Sequence, residues 1–410
     1  MVQGEQLDQL RPTRRIKVGI FNKCYQLERL QQAREAGLYP YFRVIESQQD
    51  PEVVIDGKKV IMCGSNNYLG LTSHPRVKEA AIAATRKYGT GCAGSRFLNG
   101  TLDIHVELEE KLATFFRKEA ALVFATGYQT NLGVISALVG RGDVAVSDRQ
   151  NHASIVDGCK LSYGEIRKFR HNDMEDLDRI LESEQDRNKL IIVDGVFSME
   201  GDIAPLPEII AMKKKHDFGI MVDDAHGVGV LGESGRGTSE HFGLEDEVDV
   251  IMGTYSKSLA TIGGFVAASN DIVDYLKHTS RSMIFSASLS PGSVAAVSAA
   301  LDIIDEEPER RERLWNHTNR MMEGFRSCGF NVGRAATPII PIVVGDDLLA
   351  FKMSLMLLEE GVFTNPVVSP ATPLDRALIR TSYMATHTEA QLDRVIDAFV
   401  KVGRAVGLIE

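Results

Sequence analysis

The chain has 410 residues, 44% of them hydrophobic and 25% charged, which is the composition of a folded protein with more than one core's worth of chain and argues against a disordered chain. Its formal charge of −10 argues against a nucleic-acid surface, though it leaves room for a local basic pocket that takes an anion. Five scattered cysteines (Cys24, Cys63, Cys92, Cys159 and Cys328), with no paired spacing, exclude a zinc site of that kind and a disulfide scaffold, and they fit a reducing cytoplasm.

The first thirty residues lack the continuous apolar core of a signal peptide, and no uncharged run elsewhere reaches the length of a membrane span. Near-helical spacing of apolar and charged residues from Ile20 to Ala36 predicts an amphipathic helix, read as a packing arm in a dimer in preference to a membrane anchor. The same amphipathic pattern also allows peripheral membrane contact.

From Lys59 to Ser290 short β-branched runs alternate with longer helical patterns, which predicts an α/β fold with a largely parallel sheet. The strand candidates are AALVFAT (120 to 126), DVAVSD (143 to 148), KLIIVDGVF (189 to 197), FGIMVDD (218 to 224), VDVIMGT (248 to 254) and GFVAAS (264 to 269). Their nearly continuous apolar character is what burial on both faces produces. After Pro291, a helical stretch and the charged segment EEPERRERLWNHTNRMMEGF predict a long helix. A smaller α+β region follows, with strands at 339 to 344 and 377 to 385 and helices at 348 to 360 and 389 to 406. The organisation read from this is an arm with short strands over 1–58, a large α/β domain over 59–295 and a small α+β domain over 296–410.

Ligands of open α/β sheets sit beyond the carboxyl ends of the strands, so the residues that follow each run carry the functional reading. After VFAT, Gly127 and Tyr128 open a helix whose free N–H groups favour an anion. Asn151 and His152 follow AVSD, Ser198 follows DGVF, Asp223 ends IMVD with His226 close behind, and Thr254, Ser256 and Lys257 follow VIMG. This set offers a phosphate cradle, an acid, two imidazoles and an amine, with no metal-ligand spacing. One cofactor uses all of them. Pyridoxal 5'-phosphate needs an amine for a Schiff base (Lys257), a carboxylate for its ring nitrogen (Asp223), a flat group against the ring (His152) and a donor to its phenolic oxygen (His226). Thr254, Ser256 and the Gly127-Tyr128 backbone are the phosphate donors. Taken singly each residue has a structural reading as a cap or a buried polar group, but the 34 residues from Asp223 to Lys257 span one loop, one crossover and one strand, which brings both to the same edge.

Several stretches then carry a resemblance: SNNYLGL (65 to 71), GTGCAGSRFLNGT (89 to 101), NHASIVDG (151 to 158), DGVFSMEGDIAPL (194 to 206), VDDAHGVGVLG (222 to 232), GTYSKSLATIGGF (253 to 265), SPATP (369 to 373) and IRTSYMATHT (379 to 388). Over about 38 to 407 the chain resembles the α-oxoamine synthases, pyridoxal-phosphate enzymes of the aspartate-aminotransferase fold type I. The Tyr-Ser-Lys-Ser context of Lys257 is similar to the soluble bacterial members that join L-serine to a long-chain, palmitoyl-type acyl-CoA. The resemblance implies release of carbon dioxide and CoA and a 3-ketosphinganine product, the first step of sphingolipid synthesis. It implies Arg380 and Asn66 as the grip on the substrate carboxylate, His152 and Ser198 as further substrate contacts, and Lys257 as the general base. It also implies a homodimer with shared active sites, in which Ser286 reaches the neighbour's phosphate. One departure is visible: some bacterial members carry an arginine just before the SPATP-like loop, where this chain has Val367-Val368.

Three other readings compete. Members of the family that use glycine or alanine, of the aminoketobutyrate CoA ligase or aminooxononanoate synthase type, differ by small pocket changes. A dinucleotide-binding enzyme is suggested by GTGCAG at 89 to 94, but that segment follows a helical pattern where a strand is required. A noncatalytic partner subunit would lack the lysine, and this chain has Lys257, Asp223 and both histidines.

Overall fold

A computed structural model describes residues 19–369, 371–373 and 375–410, so the reading of the first eighteen residues, and of Pro370 within SPATP, falls outside the described residues. Two units are present, divided after Arg43. In the first, the helix expected from Ile20 to Ala36 is split into a 3-10 turn at Asn22–Tyr25 and an α-helix at Glu28–Glu35. Gln26 and Leu27 adopt non-helical backbone angles between them, and neither element has a side-chain cap at its N-terminus. Ile20, Phe21, Tyr25 and Leu27 are exposed.

Among its described residues the second unit has thirteen strands: β1 Glu52–Ile55, β2 Lys58–Met62, β3 Ala120–Phe124, β4 Val144–Asp148, β5 Glu165–Phe169, β6 Lys189–Asp194, β7 Gly219–Asp223, β8 Val250–Thr254, β9 Gly264–Ala268, β10 Ile339–Gly345, β11 Val362–Phe363, β12 Asn365–Val367 and β13 Ala377–Ser382. Seven form the main sheet in the order β3-β9-β8-β7-β6-β4-β5. Pairing is parallel from β8 through β7, β6 and β4 to β5, and β9 runs antiparallel to both of its neighbours. This is the mostly parallel sheet of the fold type I expectation.

Alternation along the strands sends neighbouring residues to opposite faces. Ile191 and Val193 of β6 join one apolar cluster while Ile192 joins another, and Ile220 and Val222 of β7 part from Met221 in the same way. With helices on both sides, no strand face of the sheet interior is left for water, which explains the apolar runs. The strand β5 had no such signature. It lies at the sheet edge, Glu165 and Lys168 are exposed, and its sequence EIRKF therefore reads as charged.

The long helix expected after Pro291 is two helices, Pro291–Glu306 and Glu309–Ser327. Pro308 separates them: it has no N–H to continue the ladder and it pushes Glu307 out of helical angles, to φ −122° and ψ 60°. Two three-stranded sheets complete the unit, β1-β2-β11 and β10-β13-β12. The second delivers β13 to the segment 63–68, with the Ser382 N–H donating to the Cys63 carbonyl at 2.8 Å. GTGCAG begins where the helix Pro75–Tyr88 ends, Gly89 taking φ 86°, so no strand feeds it. Among the described residues no helix is long and apolar enough to cross a membrane.

Candidate active site

At the carboxyl end of the main sheet, register puts Asp194 of β6 beside Asp223 of β7. Each is the last residue of an apolar run, so each carboxylate is carried to the rim with its backbone fixed in the ladder. Asp223 is buried; its Oδ1 accepts from the Ala225 N–H at 3.1 Å and its Oδ2 from Asn131 Nδ2 at 2.7 Å. Asp194 Oδ2 accepts from the His152 N–H at 2.9 Å, and its own N–H donates to Asn151 Oδ1 at 2.9 Å. Burial, and then the neighbouring negative Asp223, push the Asp194 carboxyl well above its ordinary range.

The strand β8 ends at Thr254, and the turn beyond it presents Ser256 and Lys257. Thr254 Oγ1 donates to the Gly263 carbonyl at 3.0 Å and lies 3.0 Å from Ser256 Oγ. Opposite them starts the helix Gly127–Leu138, capped by Thr126, whose hydroxyl accepts from the Gln129 N–H at 3.1 Å. The N–H groups of Gly127 and Tyr128 precede the first helical bond and are left for a ligand. A β-carbon on Gly127 would stand 2.5 Å from Thr254 Oγ1, so only glycine lets the helix start approach the two hydroxyls. The result is a cradle of N–H and O–H donors for an anion.

Lys257 is half-buried, and among the described residues its ammonium has no ion-pair or hydrogen-bond partner. Burial lowers it to about 8, although Asp223 and Asp194 pull the other way, and Arg380 adds to the lowering. His226 is held well below its ordinary value by burial, then by the positive Lys257 and Arg380 and the neighbouring His152, and its Nδ1 lies 2.7 Å from the Tyr68 hydroxyl. On β13, Arg380 is buried, with Nε donating to the Ser198 carbonyl at 2.6 Å and Nη2 to Asn66 Oδ1 at 2.8 Å. Among the described residues it has no carboxylate partner, so a buried guanidinium faces the cavity without a counter-ion.

These groups line one cavity of about 530 Å³. It brings together Asn66, Gly127, Tyr128, His152, Ser198, Asp223, His226, Thr254, Ser256, Lys257 and Arg380. Ser286 is the exception: it does not line this chain's cavity, and its Oγ accepts from Gln129 Nε2 at 3.2 Å. Val367, at the place where the sequence departs from the pattern it resembles, lines the wall, and Arg376 is held by both oxygens of Glu200 at 2.7 and 2.8 Å. Asn131, Ser154 and Asp194 also line it and were missed from sequence. Asp194 had a signal, because it ends KLIIVD as Asp223 ends GIMVD; Asn131 had only its place one helical turn after Gly127.

The donor set fits pyridoxal phosphate: an unpaired amine of lowered basicity, a carboxylate held by two donors, an imidazole on the wall and an anion cradle that a single methyl group would fill.

Comparison with known proteins gives three concordant findings. The family model described as aminotransferase class I and II matches residues 58–399. The chain is 53% identical to a serine palmitoyltransferase of Sphingobacterium spiritivorum over 91% of this chain and 94% of that one, and 47% identical to an 8-amino-7-oxononanoate synthase of Symbiobacterium thermophilum over 94% and 99%. Its structure superposes with a TM-score of 0.93, at 40% identity, on a serine palmitoyltransferase variant from S. paucimobilis with bound PLP–myriocin, covering 95% of this chain and 100% of that one.

Proposed function

We propose a function from one premise: the chain belongs to the aminotransferase class I and II family and, within it, to the α-oxoamine synthases. It is a pyridoxal-phosphate-dependent acyltransferase that joins L-serine to a long-chain, palmitoyl-type acyl-CoA, with release of carbon dioxide and CoA, and forms 3-ketosphinganine. The observation that carries the chemistry is the unpaired Lys257 facing Asp223 in a cavity whose other wall is the unpaired Arg380. Four curated serine palmitoyltransferases are 50 to 53% identical to the chain and four 8-amino-7-oxononanoate synthases 44 to 47%. Among solved structures the S. paucimobilis serine palmitoyltransferase, at 40% identity, superposes with a TM-score of 0.93 and an 8-amino-7-oxononanoate synthase of Francisella tularensis, at 26%, with 0.74, which supports the serine reading over the alternative.

When bound, the cofactor supplies an electron sink for negative charge at the amino-acid α-carbon. Everything else falls to the chain. Thr254, Ser256 and the N–H groups of Gly127 and Tyr128 hold the phosphate. Lys257 would supply the amine that holds the aldehyde, and its Nζ, when free, would take the α-proton and return one later. With a value of about 8, a sizeable fraction of that amine is neutral near physiological pH, which suits a group that must act in both directions. Asp223 would hold a positive charge on the ring nitrogen, His226 would donate to the ring oxygen, and His152 would supply the flat group against the ring. Arg380 and Asn66 grip the serine carboxylate, with Ser198 beside them, so that the α-hydrogen is presented to Lys257.

A homodimer with shared active sites is part of this reading. Phe97, Leu98, Ile262 and Phe285 are exposed, and Ser288 ties the Phe285 segment to Gly94 of the 89–101 loop by a 3.0 Å N–H to carbonyl bond. Such apolar exposure beside a cavity is what a second subunit covers. Ser286 is assigned to the partner's phosphate. A cytoplasmic location follows from the five free cysteines and from CoA-linked chemistry.

The deciding experiment is mass spectrometry of the products that purified enzyme makes from serine, glycine or alanine against a series of acyl-CoA thioesters. We expect the serine and palmitoyl-CoA pair to give 3-ketosphinganine as the main product. Product from glycine or alanine alone would replace serine in the reading, and a fully active monomer by light scattering would remove the shared site.

A further inference from the structure

We propose that Asn131 and Ser154 are positioning residues that fix the His152 imidazole in the tautomer with its proton on Nε2, and that they tether that ring to the Asp223 carboxylate. The proposal rests on the reading that His152 faces the bound cofactor and substrate. No role for either residue follows from that reading alone.

Asn131 lies on the helix Gly127–Leu138, is 1% exposed, and lines the cavity. Its Nδ2 is 2.7 Å from Asp223 Oδ2 and 2.8 Å from Ser154 Oγ. A carboxylate can only accept, so the nitrogen side of the amide has to face Asp223; turned over, the amide oxygen would meet a carboxylate oxygen. That orientation leaves Asn131 Oδ1 buried with no partner, a cost the site bears to keep the donor in place. The amide's two protons are then shared between Asp223 and Ser154.

Ser154 Oγ accepts from Asn131, which frees its single O–H for its other neighbour, His152 Nδ1, at 2.7 Å. The Ser154 backbone N–H lies 3.3 Å from the same nitrogen. With two donors aimed at it, Nδ1 must present a lone pair. A neutral imidazole so held carries its proton on Nε2. Among the described residues Nε2 has no protein partner, and His152 lines the cavity, so the N–H is available to an oxygen of the bound substrate. Burial keeps the ring below its ordinary value and so favours the neutral form. The His152 N–H is fixed separately, by Asp194.

The test is 15N NMR of cofactor-free protein labelled on its histidines, with the His152 ring assigned by loss of its signals in His152→Asn. Expected is a neutral ring protonated on Nε2 and bare at Nδ1. Ser154→Ala should give a mixture of tautomers, and Ser154→Thr, which keeps the hydroxyl, should restore the single form. In the loaded enzyme Ser154→Ala should lower kcat roughly tenfold with KM for serine within about twofold, and the threonine variant should recover most of it. A wild-type ring protonated on Nδ1 overturns the proposal by itself, even if Ser154→Ala does not fold, and so does an alanine variant with unchanged ring signals. Because the ring is read without cofactor, these outcomes are distinct from failure of the functional reading, which would appear as wild-type enzyme that makes no product.

Discussion

At the end of β4, Asp148 meets His171 Nδ1 at 3.1 Å, and the same imidazole reaches Asp202 through Nε2 at 2.8 Å, with Asn172 donating to both carboxylates. One strand further along the same rim, and at the one beyond, Asp194 and Asp223 stand beside Lys257 with no ion pair formed. Both regions set two buried aspartates near a cation, yet in the first the cation is clamped between its counter-charges and in the second it is kept apart from them. The physical consequence appears in the cations: the two carboxylates outweigh burial and raise His171 to about 9, whereas burial outweighs the two carboxylates and lowers Lys257 to about 8. A closed cluster contributes to folding. An open one holds charge ready for something that is not protein.

The sharpest way to break that contrast is Lys257→Ala, for which we expect steady-state product formation to fall by roughly 10⁴-fold or more, measured as 3-ketosphinganine by mass spectrometry. Residual turnover near the wild-type rate would show that the unpaired amine is not the reactive group. Next comes Asp223→Asn, which keeps the shape and should leave cofactor binding detectable by visible absorbance while lowering kcat about 10²- to 10³-fold. An unchanged kcat would move the ring-nitrogen role elsewhere.

A third measurement uses pH. Because an ammonium is no nucleophile and Lys257 titrates at about 8, the rate at which cofactor-free protein captures pyridoxal phosphate should drop about tenfold for each unit below 8 and level off above it. A rate that keeps climbing to pH 10 would mean an ordinary lysine.

The smallest effect on turnover is expected at the closed cluster. His171→Gln should leave the kcat of folded enzyme within about twofold while costing about 3 kcal/mol of stability, read from chemical denaturation. The sign follows from the shift: the folded value lies above the ordinary 6.5, so the stability it lends is complete below 6.5 and is lost as pH rises through about 9. Wild-type stability should fall over that interval and the variant's curve should be flatter; parallel curves would contradict the assignment.

The contrast also marks what could be read in the sequence. Asp223, Lys257, Thr254 and His152 were legible because buried parallel strands are apolar throughout, so the first polar residues after each run stand out at the rim. Asp148 and Asp194 stand at the same kind of position, but a terminal aspartate alone does not reveal whether it meets a histidine from the next loop or an empty cavity. Asn131 sits on a helix whose periodicity only marks it as buried. The edge strand β5 was hidden by its own solvent-facing charges, and the helix break at Glu307 was masked by the charged run that surrounds Pro308. Ser286 was named through a resemblance, and within one subunit it bonds to Gln129.

Arg380 and Asn66 lie 314 positions apart and meet at 2.8 Å, and the same guanidinium spans back to Ser198. A growing polypeptide on the ribosome therefore cannot assemble the proposed carboxylate grip until β13, more than 300 positions behind Asn66, has emerged and paired. Until then the early segments wait with a cationic arm missing from one wall, and the entropy of closing so long a loop has yet to be met. Competence to hold an amino acid thus waits for the synthesis of β13, and nascent fragments that stop short of it should be unable to consume serine.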